Sequence, residues 1–256
     1  MTHKSFAITL ARQAGKIMLK YFSFEIKRDW KEDNTPLTLA DTKINDLVVK
    51  AVKKHYPNYG IIAEESGYYK PESEYNWVCD PVDGTIPYSH GISTATFSLA
   101  LVKNGEPILG LLFDPFTNRL YFAEKGKGTT LNGRRIHVSK QKTLHHAVVS
   151  VCFWSKHAKE FIDLTHRMID LGAMTVNTVC TTYYGMLVAS GELVANIFPG
   201  NKPWDSAAQK IIIEEAGGRA TDLQGKKQRY DRRTGGMIGS NGILHNKLLR
   251  IIKKTL

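Results

Sequence analysis

The stretch Trp77-Val78-Cys79-Asp80-Pro81-Val82-Asp83-Gly84-Thr85 decides how this chain is read. Its apolar start is a strand, and the strand ends in two carboxylates separated by Pro81 and Val82. Proline stiffens the turn, so both carboxylates and the Val82 carbonyl can point to one place. Gly84 permits an anion to approach the backbone closely. Thr85 adds a hydroxyl near the first amides of a following helical turn, a setting suited to phosphate.

Two further segments have the same character. Ile61-Ile62-Ala63-Glu64-Glu65-Ser66 is a strand ending in two Glu, and Trp204-Asp205 opens a helix that runs to Glu214-Glu215-Ala216-Gly217-Gly218. Carboxylates at the ends of apolar segments are costly unless paired or bound to metal. A sulfur-free set of oxygen donors suits a hard cation such as Mg2+ or Mn2+. Taken singly, Asp83-Gly84 is an ordinary turn, Asp205 an ordinary helix cap and Glu64-Glu65 a solvated strand end. Their occurrence together, in this order, sets those separate readings aside.

The rest of the chain supplies a layered frame. Phe6, Leu10, Ala14, Ile17 and Tyr21 recur at helical spacing. Asp41 opens a second helix with Ile44, Leu47, Val48 and Val52 inward, ended by His55-Tyr56-Pro57. Short runs at Tyr59–Ala63, Trp77–Asp80, Thr96–Lys103, Ile108–Phe113 and Leu120–Ala123 are rich in β-branched and aromatic residues, with turn signals between them. The second half alternates. Strands are expected at Ala147–Val151, Leu193–Phe198 and Met237–Gly239, and helices at Lys156–Leu171, Thr181–Ser190, Trp204–Ala216 and from Ile243. The expectation is a layered α/β (α+β) protein in two lobes, 1–140 and 141–256, forming one compact unit.

Composition narrows the class. The chain has 256 residues, is 42% hydrophobic and 23% charged, and so is neither disordered, collagen-like nor a disulfide scaffold. No run approaches the ~18 apolar residues of a membrane span, and the N-terminal segment lacks the uninterrupted apolar core of a signal peptide. Cys79, Cys152 and Cys180 are odd in number and widely spaced, which reads as buried thiols in a reducing, cytoplasmic setting. GxSxG, HExxH, Walker A and GxGxxG are all absent. His145-His146, read within a strand, would point to opposite faces and is taken as structural.

The net charge of +11 is uneven. Residues 219–256 carry ten basic side chains against Asp222 and Asp231, a net of +8, whereas residues 61–85 carry a net of −5. The basic segment reads first as a solvated loop and a final amphipathic helix, and second as an attractor of anions or nucleic acid.

These segments resemble the inositol monophosphatase family of Mg2+-dependent phosphatases: AEES at 63–66, WVCDPVDGT at 77–85, WDSAA at 204–208 and EEAGG at 214–218, with the upstream Thr38-Leu39-Ala40-Asp41. The resemblance implies the αβαβα sugar-phosphatase fold of the inositol monophosphatase and fructose-1,6-bisphosphatase type, usually a homodimer. It implies that Glu64, Asp80 and the Val82 carbonyl hold one metal ion and that Asp80, Asp83 and Asp205 hold another. The cofactor would be two or three Mg2+, with Mn2+ as a substitute and Li+ as an inhibitor. Thr85, supported by Asp41 and with Glu64 nearby, would orient or deprotonate the attacking water. The Gly84 and Thr85 amides, with Asp205, would hold the phosphate ester. Chemically this is a two-metal in-line displacement, with ions about 3.5–4 Å apart in such sites, and no covalent phosphoenzyme is required. The haloacid-dehalogenase mechanism needs Asp-x-Asp, which Asp80-Pro81-Val82-Asp83 does not supply.

The chain departs from the family at the substrate wall. Ile86-Pro87-Tyr88 follows Thr85 in place of Thr-Asn-Phe. Phe198 stands where the animal inositol enzymes have a Glu that contacts the sugar ring, and Cys180 where Gly is usual. Inositol 1-phosphate is therefore the first candidate substrate, followed by histidinol phosphate, fructose 1,6-bisphosphate and 3′-nucleotides. A basic nucleic-acid-binding or regulatory protein on the same fold is the alternative from a different class, and nucleic acid ranks below a small phosphorylated substrate as a partner.

Overall fold

The computed structural model describes residues 1–23, 26–32, 35–154 and 158–256. The first helix, α1 (His3–Tyr21), is capped by Thr2, whose hydroxyl accepts from the Ser5 amide at 3.2 Å. A two-stranded hairpin follows, β1 (Arg28–Trp30) against β2 (Pro36–Thr38). It leads into α2 (Leu39–His55), which begins two residues before the expected Asp41. Asp41 lies in the first turn, where its Oδ2 accepts from the Thr38 amide at 2.8 Å and the Thr38 hydroxyl at 2.5 Å. It closes a capping box with Thr38.

An eight-stranded sheet comes next, built from β3 (Gly60–Ala63), β4 (Gly67–Tyr69), β5 (Tyr75–Asp83), β6 (Thr96–Lys103), β7 (Glu106–Asp114), β8 (Arg119–Glu124), β9 (Gly128–Leu131) and β10 (Arg134–Arg135), in the order β10-β9-β8-β7-β6-β5-β3-β4. The short helix α3 (Thr85–Ser89) leaves the end of β5. A second sheet has β11 (Val148–Val151), β12 (Met174–Val176), β13 (Ala195–Phe198), β14 (Arg219–Thr221) and β15 (Met237–Ser240) in the order β12-β11-β13-β15-β14. Its helices are α4 (Ala158–Asp170), α5 (Thr181–Ala189), α6 (Ala207–Glu215) and α7 (His245–Thr255).

Period-two alternation of side chains makes the layers. Trp77, Phe97, Leu99 and Leu101 meet Phe6, Leu10, Ile44 and Val48 of α1 and α2. The intervening Val78, Ala100 and Val102 meet Met186, Ile211 and Ile212 of α5 and α6. Beyond the second sheet, Val149, Ala195 and Ile197 pack on Phe161, Leu164, Leu248 and Ile252 of α4 and α7. The stack is helix, sheet, helix, sheet, helix, as the family resemblance implies. Because the large sheet is covered on both faces, its strands read as nearly continuous apolar runs.

Boundaries differ where turn chemistry intervenes. Trp204–Ala216 is not one helix: Pro203–Asp205 is a 3-10 turn, and α6 starts at Ala207. Of the segment 156–171, Lys156 lies outside the described residues. His145-His146 is not in a strand. The pair sits in a turn with His146 at φ 60°, and its rings meet edge to face at 3.9 Å rather than pointing to opposite faces.

A different histidine carries a testable consequence. His245 is fully buried. The Thr221 hydroxyl donates to the Asp222 carbonyl at 2.9 Å, so it accepts from His245 Nε2 at 3.0 Å, leaving Nδ1 to accept from Ser240 at 2.8 Å. Burial of this neutral ring lowers its pKa to about 4. The unfolded chain takes the proton near pH 6.5, so stability is intact above that value and is lost as pH falls toward 4. The expected loss is about 3 kcal/mol. In urea denaturation, the advantage of wild type over His245→Gln should shrink by that amount between pH 7.5 and 4.5. An equal advantage at both values would refute the assignment.

Candidate active site

The end of β5 does not continue as a regular strand. Asp80 pairs with Ser98 and Asp83 with Thr96, so three steps on β5 oppose two on β6. In an unbroken strand, residues three apart face opposite sides of the sheet. The bulge shifts the phase by one and turns Asp80 and Asp83 toward the same side. Pro81, which has no N–H to give the ladder, sits within it. The Val82 amide donates to Asp80 Oδ1 at 3.1 Å, fixing that carboxylate against the bulge.

Gly84 follows at φ +88°. A Cβ there would lie 2.7 Å from the Thr94 carbonyl oxygen and 2.9 Å from Cys180 Cβ. Glycine is thus required by backbone conformation and by crowding, in addition to any anion it admits. Thr85 begins α3, and its hydroxyl lies 2.9 Å from the Val82 carbonyl and 3.4 Å from Asp41 Oδ1. Asp41 is buried, and the Thr38 hydrogen bonds leave Oδ1 to face Thr85.

Asp83 is gripped from the start of α5. Its Oδ2 accepts from the Thr182 amide and hydroxyl, each at 2.6 Å, and from the Cys180 thiol at 3.2 Å. These donors all fall on one oxygen. Asp205 arrives in the 3-10 turn beside β5 and β6, where the Ser98 hydroxyl donates to the Trp204 carbonyl at 3.3 Å. Glu64 continues from β3, its amide donating to the Cys79 carbonyl at 3.2 Å.

The electrostatics follow from this crowding. Burial, then the field of Glu64, Asp83, Asp205 and Asp41, pushes the Asp80 carboxyl well above its ordinary range. Burial also raises Asp83, against the pull of its Thr182 hydrogen bonds, and raises Asp205, aided by Asp83 and Glu64. Asp41 is pushed up to about 7, chiefly by burial. Lys31 brings a positive charge to the rim, 2.8 Å from Glu64 Oε1 and 2.5 Å from Glu65 Oε1.

Asp41, Asp80, Asp83 and Thr85 therefore gather at the bulged end of β5, with Glu64 at the end of the neighbouring β3 and Asp205 in the 3-10 turn packed on β5 and β6. Among the described residues, no three His, Cys, Asp or Glu side chains close into a metal-holding group. What they provide is an oxygen-rich set in which burial, and then the neighbouring carboxylates, raise the pKa values of Asp41, Asp80, Asp83 and Asp205, the signature of a site short of positive charge. A hard divalent cation fits that donor set.

Two groups escaped the sequence reading. Lys31 sits beside β1 with no periodic signal, and Thr182 lies almost a hundred residues from the Asp83 it holds. Phe198 and Cys180, expected on the substrate wall, are buried, as Asp80 and Asp83 are. Phe198 joins the core between the sheets, and Cys180 supports Asp83.

The sequence model of the inositol monophosphatase family matches residues 2–256. A fructose-1,6-bisphosphatase/inositol-1-monophosphatase of Thermotoga maritima is 31% identical over 264 residues, spanning 100% of this chain and 98% of that protein. The Nus factor SuhB of Xylella fastidiosa is 31% identical over 230 residues, 85% of this chain and 81% of that protein. Among solved structures, an IMPase of Thermotoga maritima superposes with a TM-score of 0.91 at 29% identity, covering 100% of this chain and 98% of that one.

Proposed function

Since the chain belongs to the inositol monophosphatase family, and is thereby a phosphoric monoester hydrolase, we propose that it releases phosphate from a small polyol or sugar phosphate by attack of water, with Mg2+ as its metal. Inositol 1-phosphate leads the candidates, with fructose 1,6-bisphosphate, histidinol phosphate and 3′-nucleotides behind it. The observation that carries this reading is the convergence of Asp41, Asp80, Asp83 and Asp205 on the bulged end of β5 beside Thr85.

Glu64, Asp80, the Val82 carbonyl, Asp83 and Asp205 would hold the metal ions. Mg2+ bound there supplies a lowered pKa for the attacking water and charge to balance the leaving alkoxide. The chain's own residues do the rest. Thr85 orients the water through its hydroxyl, and Asp41 stands 3.4 Å behind that hydroxyl to accept a proton from it. The amides at the start of α3 face the phosphoryl oxygens. Thr182 keeps one Asp83 oxygen occupied and leaves the other for the metal.

The exposed apolar residues Ile162, Ile169, Met174 and Val176 on α4 and β12 suit a homodimer face. Three unpaired, buried cysteines suit the reducing cytoplasm, and no helix among the described residues is long and apolar enough to cross a membrane.

Phosphate release should be measured with and without Mg2+ on inositol 1-phosphate, histidinol phosphate, fructose 1,6-bisphosphate, glycerol 2-phosphate and adenosine 3′,5′-bisphosphate. Metal-dependent turnover with one clear favourite is expected. The second reading, a nucleic-acid-binding or regulatory role, is favoured by the exposed Lys247, Arg250, Lys253 and Lys254 of α7. Salt-dependent RNA binding without turnover on any ester would replace the first reading by this one.

A further inference from the structure

The layer between the two sheets buries Met186, Ala208 and Ile212, and with them two amide side chains, Asn196 on β13 and Gln209 on α6. A buried amide is costly unless its groups are paired. Gln209 Nε2 donates to the Asp205 carbonyl, four residues back. Asn196 Nδ2 donates to Gln209 Oε1 at 3.1 Å and to the Thr181 carbonyl at 2.8 Å. Two oxygen acceptors fix which way the Asn196 amide points. Its Oδ1 has no partner among the described residues, so the contribution of this side chain is its two donors.

The neighbouring Thr182 holds Asp83 Oδ2 with its amide and hydroxyl, each at 2.6 Å, and accepts from the Thr96 hydroxyl of β6. A continuous buried path therefore runs from the Asp205 backbone through Gln209, Asn196 and residues 181–182 to the Asp83 carboxylate.

The fold makes room for this path. Gly185 lies within α5, where a Cβ would sit 2.3 Å from Gln209 Oε1 and 2.8 Å from Gln209 Cβ. Glycine weakens a helix interior, and here it is what lets α6 bring Gln209 against α5. The path also joins two groups that repel. Burial, and then the field of Asp83, raises the Asp205 carboxyl. Like charges this close must be held in place by their surroundings before a cation arrives.

We propose that Gln209 and Asn196 are positioning residues that set the spacing of Asp83 and Asp205 and so preorganise the two carboxylates for a divalent cation. This deepens, and rests on, the metal-dependent phosphatase reading. Each residue acts through the group it bonds, and partners one step behind a metal ligand carry roughly 10- to 100-fold in metal affinity.

The test is Mg2+ affinity by calorimetry on protein freed of metal, read beside the melting temperature in EDTA and Mg2+-dependent phosphate release. Gln209→Met and Asn196→Ala should each weaken Mg2+ binding about tenfold or more. Gly185→Ala, which presses Gln209 out of its place, should do the same. The double variant Gln209→Met/Asn196→Ala should lose scarcely more than either single one, because each cut severs the same path. Thr129→Val is the control. Its hydroxyl donates to the Ile212 carbonyl at 2.6 Å, elsewhere on α6, so the variant should melt lower and bind Mg2+ as wild type does.

Wild-type affinity in Gln209→Met and Gly185→Ala overturns the proposal, while Mg2+ binding and turnover in wild type leave the phosphatase reading standing. Additive losses in the double variant overturn it too, since the two residues would then act separately. An equal loss in Thr129→Val does the same, because it marks a general loosening of α6. If Asn196→Ala does not fold, Gln209→Met and Gly185→Ala decide alone. A wild-type protein that neither binds Mg2+ nor releases phosphate overturns the phosphatase reading and the proposal with it.

Discussion

Asp83→Asn is expected to lower turnover about 1,000-fold while leaving the fold intact. The asparagine carbonyl can still accept from the Thr182 amide and hydroxyl, which hold Asp83 Oδ2 at 2.6 Å. The link between β5 and α5 therefore survives. What disappears is one negative charge, and with it the free oxygen proposed as a metal ligand. Because burial raises the Asp83 pKa, neutralising the residue removes a desolvation cost, so the metal-free variant should melt no lower than wild type. The stabilisation that Mg2+ gives wild type should shrink in the variant. Activity assays and thermal melts with and without Mg2+ check all three statements. Retention of more than about a tenth of wild-type turnover would place Asp83 outside the metal site.

Chelation is expected to abolish turnover, and to leave a protein whose stability depends on pH in a defined direction. Asp80, Asp83 and Asp205 all have raised pKa values, and Asp41 is pushed up to about 7. Between the unfolded value near 4 and these folded values, the native state binds more protons than the unfolded chain. Stability of the metal-free protein therefore falls as pH rises through this window, and Asp41 alone contributes up to about 4 kcal/mol. A divalent cation reverses the effect, since it favours the ionised carboxylates and binds only the native state. The gap in melting temperature between Mg2+-loaded and EDTA-treated protein should widen from pH 5 to pH 8. A gap that stays constant or narrows would count against the carboxylate cluster as the metal site.

Much of the site was legible before any coordinates because its chemistry is compressed into short, unusual segments. Asp80-Pro81-Val82-Asp83-Gly84-Thr85 puts a stiff turn, two carboxylates and a hydroxyl within six residues, and no ordinary strand end has a use for all of them. The helices were legible where one face alternates with solvent, as in α1 and α2. The illegible parts were those set by tertiary contact. Nothing near Thr182 announces that it holds a carboxylate 99 positions earlier. Short edge strands such as β12 and β14 span three residues each, too few to show a period. Phe198 was expected at the substrate because of its position relative to Asp205. Its burial in the core between the sheets depends on β13 packing against its neighbours, which chain position does not reveal.

The helix α6 has a role that the static site does not display. It touches β6, β7, β8 and β9 of one sheet and β14 and β15 of the other. Gly110 lets it approach so closely that a Cβ there would sit 2.5 Å from Ile211 Cγ2. Asp205 enters immediately before this helix, so it meets Asp80 and Asp83 only when the wedge seats between the two sheets. The mutual repulsion of the carboxylates thus requires both sheets and α6 to be in place. Interactions absent from the folding transition state act almost wholly on the rate of unfolding. A metal held at this seam would work as a latch on a closed door: it would prolong the life of the folded chain without hastening its formation.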